Sequence, residues 1–287
     1  MEFYRIFRPL TAVPFRNTKA YMEYEPCDAL KPYVRCFWGS REPHLQADAT
    51  GAAGGLVIPD TCMDIIFDMN YSENKIQNKF CGINDMSFYA AGEADPRAVI
   101  GSFGIRFYAW TAVMFSDESM AAAKNVDTDV GYYFSKLKRA LEPLLMEPAD
   151  MPQRVRAAEK YLLKYIRPER ENTIVMEGVA ELLQHRGNLS MMQLSGQLHV
   201  GCRQLERLFK TYVGTPPKQL ASLIRYQSLW SDIILKRDFN LLDAVYEFGY
   251  TDQSHLIRDF KRFHTMTPME ARALALNGSD GPGGISS

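Results

Sequence analysis

The chain has 287 residues, 46% of them hydrophobic and 23% charged, ordinary globular material long enough for two domains with separate cores. A formal net charge of -1 excludes nucleic-acid binding by bulk charge, and five cysteines with no Cys-x-x-Cys pair argue against a disulfide framework and a zinc site. No apolar run reaches the roughly 20 residues of a membrane helix and the N-terminal Met-Glu-Phe-Tyr-Arg lacks the order of a secretory signal, so a cytoplasmic protein with no membrane partner is expected.

Residues 1–115 read as β-rich. Apolar residues come in short runs such as Tyr33–Trp38, Ile65–Phe67 and Ile105–Tyr108, which suit strands. Gly51, Gly54, Gly55, Gly82, Gly92, Gly101 and Gly104 punctuate them, a pattern that favours a sandwich or barrel.

Residues 116–168 change to helical spacing. Phe134, Leu137, Leu141 and Leu144 share one face, Val155, Ala158, Leu162 and Tyr165 another, and Pro143, Pro148 and Pro152 between them predict two helices. Those helices either cover the β domain or form a homodimer contact. Arg167–Arg170 reads as a linker, and the Gly-rich residues 277–287 are expected to be a disordered tail.

Residues 172–276 read as all-α, with 12 Lys and Arg against 10 Asp and Glu. Placement therefore matters more than total. A helix over 173–185 stops before Gly187, and Ser190 with Gln193 forms a capping box that opens a short helix to Leu198. After the turn His199-Val200-Gly201, a second helix covers Cys202–Tyr212. Thr215 as N-cap and Pro216 as first helical residue open a long helix to about Lys236. Asn240 caps a short helix, Gly249-Tyr250-Thr251 turns, Asp252 caps a helix ending near His264, and Thr267-Pro268 starts the last.

The frame Leu205-Glu-Arg-Leu-Phe-Lys210 returns 51 residues later as Leu256-Ile-Arg-Asp-Phe-Lys261, each copy preceded by a short helix and a tight turn. Helix, turn and second helix on this scale lay the second helix in a DNA major groove. Val200 matches Tyr250 at a spacing of 50, so the second turn is one residue longer. With Gly214-Thr215-Pro216 after the first unit, and the run Gly249 to Phe263 followed by Thr267-Pro268 in the second, the last hundred or so residues resemble the AraC/XylS transcription regulators. Ser195 and His199 stand where that family usually holds Ala and Gly.

Outward positions on the first recognition helix are Arg203, Glu206 and Arg207, and on the second Gln253, Ser254, Ile257 and Arg258; the resemblance implies the same sets. Arg suits guanine, Gln adenine, Glu cytosine and Ile a thymine methyl, while Lys210, Lys261 and Arg262 suit phosphates. A rigid linker helix would set the two readers about one helical turn, roughly 34 Å, apart on one DNA face, which requires the DNA to bend.

The resemblance further implies a cupin-like N-terminal sensor for a small-molecule effector or a second subunit, and RNA polymerase as a partner at the promoter. The fold expected is thus α+β: a β-barrel or sandwich, a helical linker, and an all-α double helix-turn-helix domain. His44 is the only histidine before His185, so no metal, cofactor or catalytic residue is expected. Extended backbone would put Asp60, Cys62, Asp64 and Ile66 on one face, and with Trp38, Phe67, Phe103, Phe107 and Trp110 these could line an effector pocket. Two acids on one face also fit an acid and base pair, or simply a loop acid and an edge acid. Two other readings stay open: a DNA-repair or alkyl-transfer protein with a reactive cysteine on the same DNA module, and redox sensing through Cys36, Cys62 or Cys81.

Overall fold

The computed structural model describes residues 2–14, 18–49, 55–89, 95–147 and 150–277. Gly51, Gly54, Gly92, Pro148 and the tail beyond 277 lie outside the described residues.

The strands are β1 (Met22–Tyr24), β2 (Val34–Gly39), β3 (His44–Leu45), β4 (Leu56–Val57), β5 (Cys62–Asn70), β6 (Lys75–Cys81), β7 (Phe88–Tyr89), β8 (Val99–Tyr108) and β9 (Asp127–Thr128). An antiparallel sheet runs β1-β2-β8-β5-β6-β9, β3 also pairs with β8, and β4 and β7 form a separate ribbon. The centre is the long β5–β8 ladder, in register from Cys62 opposite Tyr108 to Asn70 opposite Ile100. Alternation along β5 and β8 turns Met63, Ile65, Phe67, Phe103, Ile105 and Phe107 to one face, all fully buried. The other face carries Asp64, Ile66, Arg106 and Trp38. The Trp38 indole lies flat across Gly104, where a Cβ would come within 2.2 Å of the ring.

The helices that follow are α1 (Gly131–Met146) and α2 (Met151–Tyr165). They cover the apolar face: Phe134 stacks on Phe107 at 6.0 Å, and Leu137, Leu141, Val155, Ala158 and Leu162 are buried. Leu145, and not Leu144, closes the α1 stripe; Leu144 is 51% exposed because the sheet meets the i+4 row from Leu141. Tyr165 is likewise largely exposed, and Pro143 lies within α1. Arg154 fastens α2 to the sheet by donating to the Ser40 and Ser102 carbonyls and, at 2.8 Å, to the Tyr71 hydroxyl.

The C-terminal helices are α3 (Thr173–Gln184), α4 (Met191–Gln197), α5 (Cys202–Val213), α6 (Pro217–Leu235), α7 (Leu241–Glu247), α8 (Gln253–His264) and α9 (Pro268–Asn277). One detail departs from the sequence expectation: Pro216 is the N-cap of α6 and Pro217 its first helical residue. A residue preceding proline is driven from helical to extended backbone, and Pro216 accordingly has ψ 151°.

The two halves share one continuous set of buried apolar side chains. Residues 3–12 leave the sheet and cross α6. Gln227 accepts from the Leu10 amide at 2.8 Å and donates to the Leu10 and Pro59 carbonyls at 3.2 and 2.6 Å, and the Trp230 indole donates to the Thr11 carbonyl at 3.0 Å. On the far side the Met120 amide donates to the Thr211 carbonyl of α5 at 2.8 Å, and Gln219 donates to Asp85.

Candidate nucleic-acid interface

Each helix-turn-helix unit is fixed by local chemistry that the sequence shows. Ser190 caps α4, its hydroxyl accepting from the Gln193 amide at 3.2 Å while the Gln193 side chain accepts from the Ser190 amide at 2.9 Å. Asn240 caps α7, and Asp252 caps α8 by accepting from the His255 amide at 2.8 Å. Both turns need a left-handed residue. In the second it is Gly249, at φ 66°, where a Cβ would fall 2.6 Å from the Asn188 side chain. In the first it is His199, at φ 52°, so the turn keeps its shape without glycine.

With the turns set, α5 points Leu205, Phe209 and Val213 into the core and leaves Arg203, Glu206, Arg207 and Lys210 exposed. Helix α8 buries Leu256, Phe260, Phe263 and His264, exposes Ser254, Arg258 and Lys261, and leaves Gln253 and Ile257 half-buried. Among the described residues, the side chains of Arg203, Glu206, Arg207, Lys210, Gln253, Ser254 and Arg258 form no hydrogen bond or ion pair within the chain. Arg262 is different. It reaches Ser222 at 3.1 Å and Asp259 at 3.8 Å and lies over the Phe263 ring, so its charge is partly spent inside the fold.

One supporting group was not singled out from the sequence. Asp259 occupies the place that Leu208 holds in the first copy of the repeated frame. It accepts from Arg225 of α6 at 2.9 Å and from the Tyr250 hydroxyl at 3.0 Å, and the Arg225 guanidinium lies over the Tyr250 ring at 4.6 Å. Burial pushes the Tyr250 phenol far above its usual range, so it stays a hydrogen-bond donor. An acid where the sister helix has an apolar residue was the available signal. Thr251, Asp252, His255 and Arg258 line an open concavity beside this group.

The N-terminal residues expected to share a pocket are divided by the strand alternation. Trp38, Asp60 and Asp64 gather on the outer face around Arg106: its guanidinium is 3.0 Å from Asp64 and 3.6 Å from Asp60, and the Trp38 indole donates to Asp64 at 2.7 Å. Burial raises Asp60 above the usual carboxylate range against the pull of Arg106. Both acids are thus ion-pair partners of Arg106. Phe67, Phe103 and Phe107 face the opposite way into the core, and Trp110 is packed by Phe3, Phe7 and Tyr108, so these rings cannot line one site with Asp64. Cys62 is buried at the end of β5, and burial pushes its thiol well above the usual range. Burial pushes Cys36 and Cys81 up to about 12, away from the thiolate form. Among the described residues no three His, Cys, Asp or Glu side chains converge as metal ligands would, and no helix is long and apolar enough to cross a membrane.

Residues 194–273 match the family model of a helix-turn-helix domain, and residues 22–129 match a domain of unknown function, DUF6597. No curated protein matches the chain. Among solved structures, the C-terminal domain of the response regulator YesN from Fusobacterium nucleatum is 17% identical, covering 35% of this chain and 99% of its own, with a TM-score of 0.33. An AraC-type transcriptional regulator from Chromobacterium violaceum is 24% identical over 39% of this chain and 100% of its own, at a TM-score of 0.32. ToxT from Vibrio cholerae is 10% identical over 89% of this chain and 99% of its own, at a TM-score of 0.42.

Proposed function

We propose that this chain, whose residues 194–273 match a helix-turn-helix domain, is a transcription regulator of the AraC/XylS type that reads double-stranded promoter DNA with α5 and α8 together. The observation that carries the reading is the pair of capped units flanking α6, each presenting an outward polar set that has no hydrogen-bond or ion-pair partner among the described residues. Arg203, Glu206 and Arg207 in one major groove, and Gln253, Ser254, Ile257 and Arg258 in the next, supply base contacts; Lys210 and Lys261 supply phosphate contacts, with Arg262 a weaker one. Helix α6 is buried along most of its length, so the two readers are held as one rigid body and DNA must bend to meet both.

The division of labour proposed is a sensor over residues 1–115, a helical segment over 116–168 that covers the sheet and whose exposed Leu163 and Tyr165 are available for a homodimer contact, and a DNA reader over 172–276. A small effector bound to the sensor alters promoter occupancy, and RNA polymerase is the downstream partner. The raised thiols of Cys36, Cys62 and Cys81 favour the neutral form, so the alkyl-transfer alternative finds no support at those three positions.

The test is selection of bound sequences from a random duplex pool with the full chain, followed by titration of the recovered site against scrambled DNA. A two-part motif spanning about two helical turns is expected. Recovery of no motif, or equal affinity for the scrambled duplex, refutes the proposal.

A further inference from the structure

A second cavity, of about 230 Å³, lies where the N-terminal segment meets β2 and β8, and it shares no lining residue with the concavity beside α8. Its walls include Tyr4 and Arg8 from that segment, Lys31, Arg35 of β2 and Tyr108 of β8, with Glu25 also contributing. Arg35 is the key residue. The β2–β8 register slips between Val34 and Cys36, so Arg35 is the extra residue of a bulge, a distortion that re-aims a side chain out of the ladder.

Arg35 is 6% exposed, yet only two of its three guanidinium nitrogens are satisfied. Nη2 donates to Glu23 at 3.2 Å and Nε makes a long contact with the Pro9 carbonyl at 3.4 Å, while Nη1 is buried with no acceptor. A buried charged donor without a partner is costly, and a guanidinium is shaped to take two oxygens of one anion. The Tyr108 hydroxyl also makes no hydrogen bond among the described residues. Arg8 and Lys31 add two partly exposed cations, each now held by a surface carboxylate, Glu25 and Asp28.

We propose that this cavity binds a small organic anion, a carboxylate or phosphate monoester, whose charged group is drawn by the unsatisfied charge of Arg35 and by Arg8 while its body lies between Tyr4 and Tyr108. The volume suits a metabolite-sized molecule. The incoming anion competes with Glu25 for Arg8. Two and three residues beyond Arg8, Leu10 and Thr11 hold Gln227 and Trp230 of α6, so the ligand grips the segment that clasps the helix between the two readers. This coupling rests on the regulator reading; the binding site does not.

The experiment uses the full chain with aromatic and short aliphatic carboxylates, phosphate monoesters and their neutral amide or alcohol analogues, at matched ionic strength, by thermal shift and then calorimetric titration. A charged member is expected to raise the melting temperature where its neutral analogue does not, and which arm does so assigns carboxylate or phosphate. Arg35→Gln and Arg8→Gln should each weaken binding about tenfold, and Glu25→Gln should strengthen it about threefold by freeing Arg8. Arg8 and Glu25 are half exposed, so those two variants stay informative even if Arg35→Gln fails to fold. No response to any anion, or equal response to the neutral analogues, overturns the proposal; so does unchanged affinity in Arg8→Gln and Glu25→Gln. Sequence-selective DNA binding with no anion bound sinks this inference alone, whereas anion binding without DNA selectivity supports the cavity and sinks the regulator reading.

Discussion

Two arginines in the second helix-turn-helix unit have opposite expected effects, and separating them tests the assignment of base-reading residues. Arg258 is exposed and makes no hydrogen bond or ion pair among the described residues, so Arg258→Ala should change the unfolding free energy by no more than about 0.5 kcal/mol. A lost pair of hydrogen bonds to a base should weaken binding to the selected duplex by about 1–3 kcal/mol, or roughly 5- to 150-fold. Arg225 is one layer deeper: it pairs with Asp259, which is 11% exposed, and lies over Tyr250. Removing it strands a mostly buried carboxylate, for which a loss of about 3–5 kcal/mol is usual. Because the Tyr250 hydroxyl and Arg262 still reach Asp259, about 2–3 kcal/mol is expected, with DNA affinity of the folded fraction little changed. Urea unfolding gives one axis and fluorescence anisotropy with labelled duplex at fixed salt the other. The reasoning fails if Arg258→Ala binds the selected site as tightly as the parent, or if it loses as much stability as Arg225→Ala.

Gly104→Ala should cost about 1–3 kcal/mol by driving its Cβ into the Trp38 indole, and the loss of the Trp38–Asp64 hydrogen bond should appear as altered tryptophan fluorescence; parent-like stability and emission would contradict the packing. His199→Gly should stabilise the chain by about 0.5–1 kcal/mol in urea because glycine holds φ near 52° without steric cost, and a destabilised variant would show that the imidazole contributes more than the turn strain. His264 is buried, with its ring 2.7 Å from the Tyr226 hydroxyl, and burial lowers its pKa from 6.5 to about 4. Its stabilising contribution is therefore whole above pH 6.5 and is lost as pH falls toward 4, where the unfolded chain takes up a proton that the folded chain refuses, by up to about 3 kcal/mol. Urea titrations between pH 7 and 5 should show a flatter profile for His264→Gln than for the parent, and equal slopes would place the pH sensitivity elsewhere.

The DNA-binding half was readable because its shape is set by short-range rules. A Ser or Asp at a helix start, a proline after a cap, and apolar residues at three- and four-residue spacing each act within one turn, and the same instructions occur twice. Where a local rule competed with another, the reading slipped by a residue, as at Pro216, where the second proline decided the cap. The N-terminal half depends on which strands pair and what covers them. Its spacing showed that Asp60 and Asp64 share a face, but not that Arg106, more than forty residues on, would stand opposite Asp64 and claim both. The Arg35 bulge is invisible for the same reason, since an extra residue in a strand is defined only against its partner.

The contact between residues 3–12 and α6 gives the two halves a physical means of communication that adjacent, independently packed domains would lack. Gln227 lies on a helix otherwise buried largely among apolar side chains, and among the described residues all of its side-chain hydrogen bonds go to backbone of the N-terminal half. A glutamine there confers little on the helix-turn-helix core, whereas its removal leaves the Leu10 amide and the Leu10 and Pro59 carbonyls without their partner, at about 1–3 kcal/mol for each group that stays dry. Gln227→Leu therefore should loosen the segment from α6 while leaving both recognition helices capped and packed. If effector state reaches the DNA through this clasp, the variant will bind the selected duplex with nearly parental affinity and lose its response to anion. Retention of a full anion response in Gln227→Leu would assign the communication instead to the Met120–Thr211 and Asp85–Gln219 contacts on the other side of the linker helix.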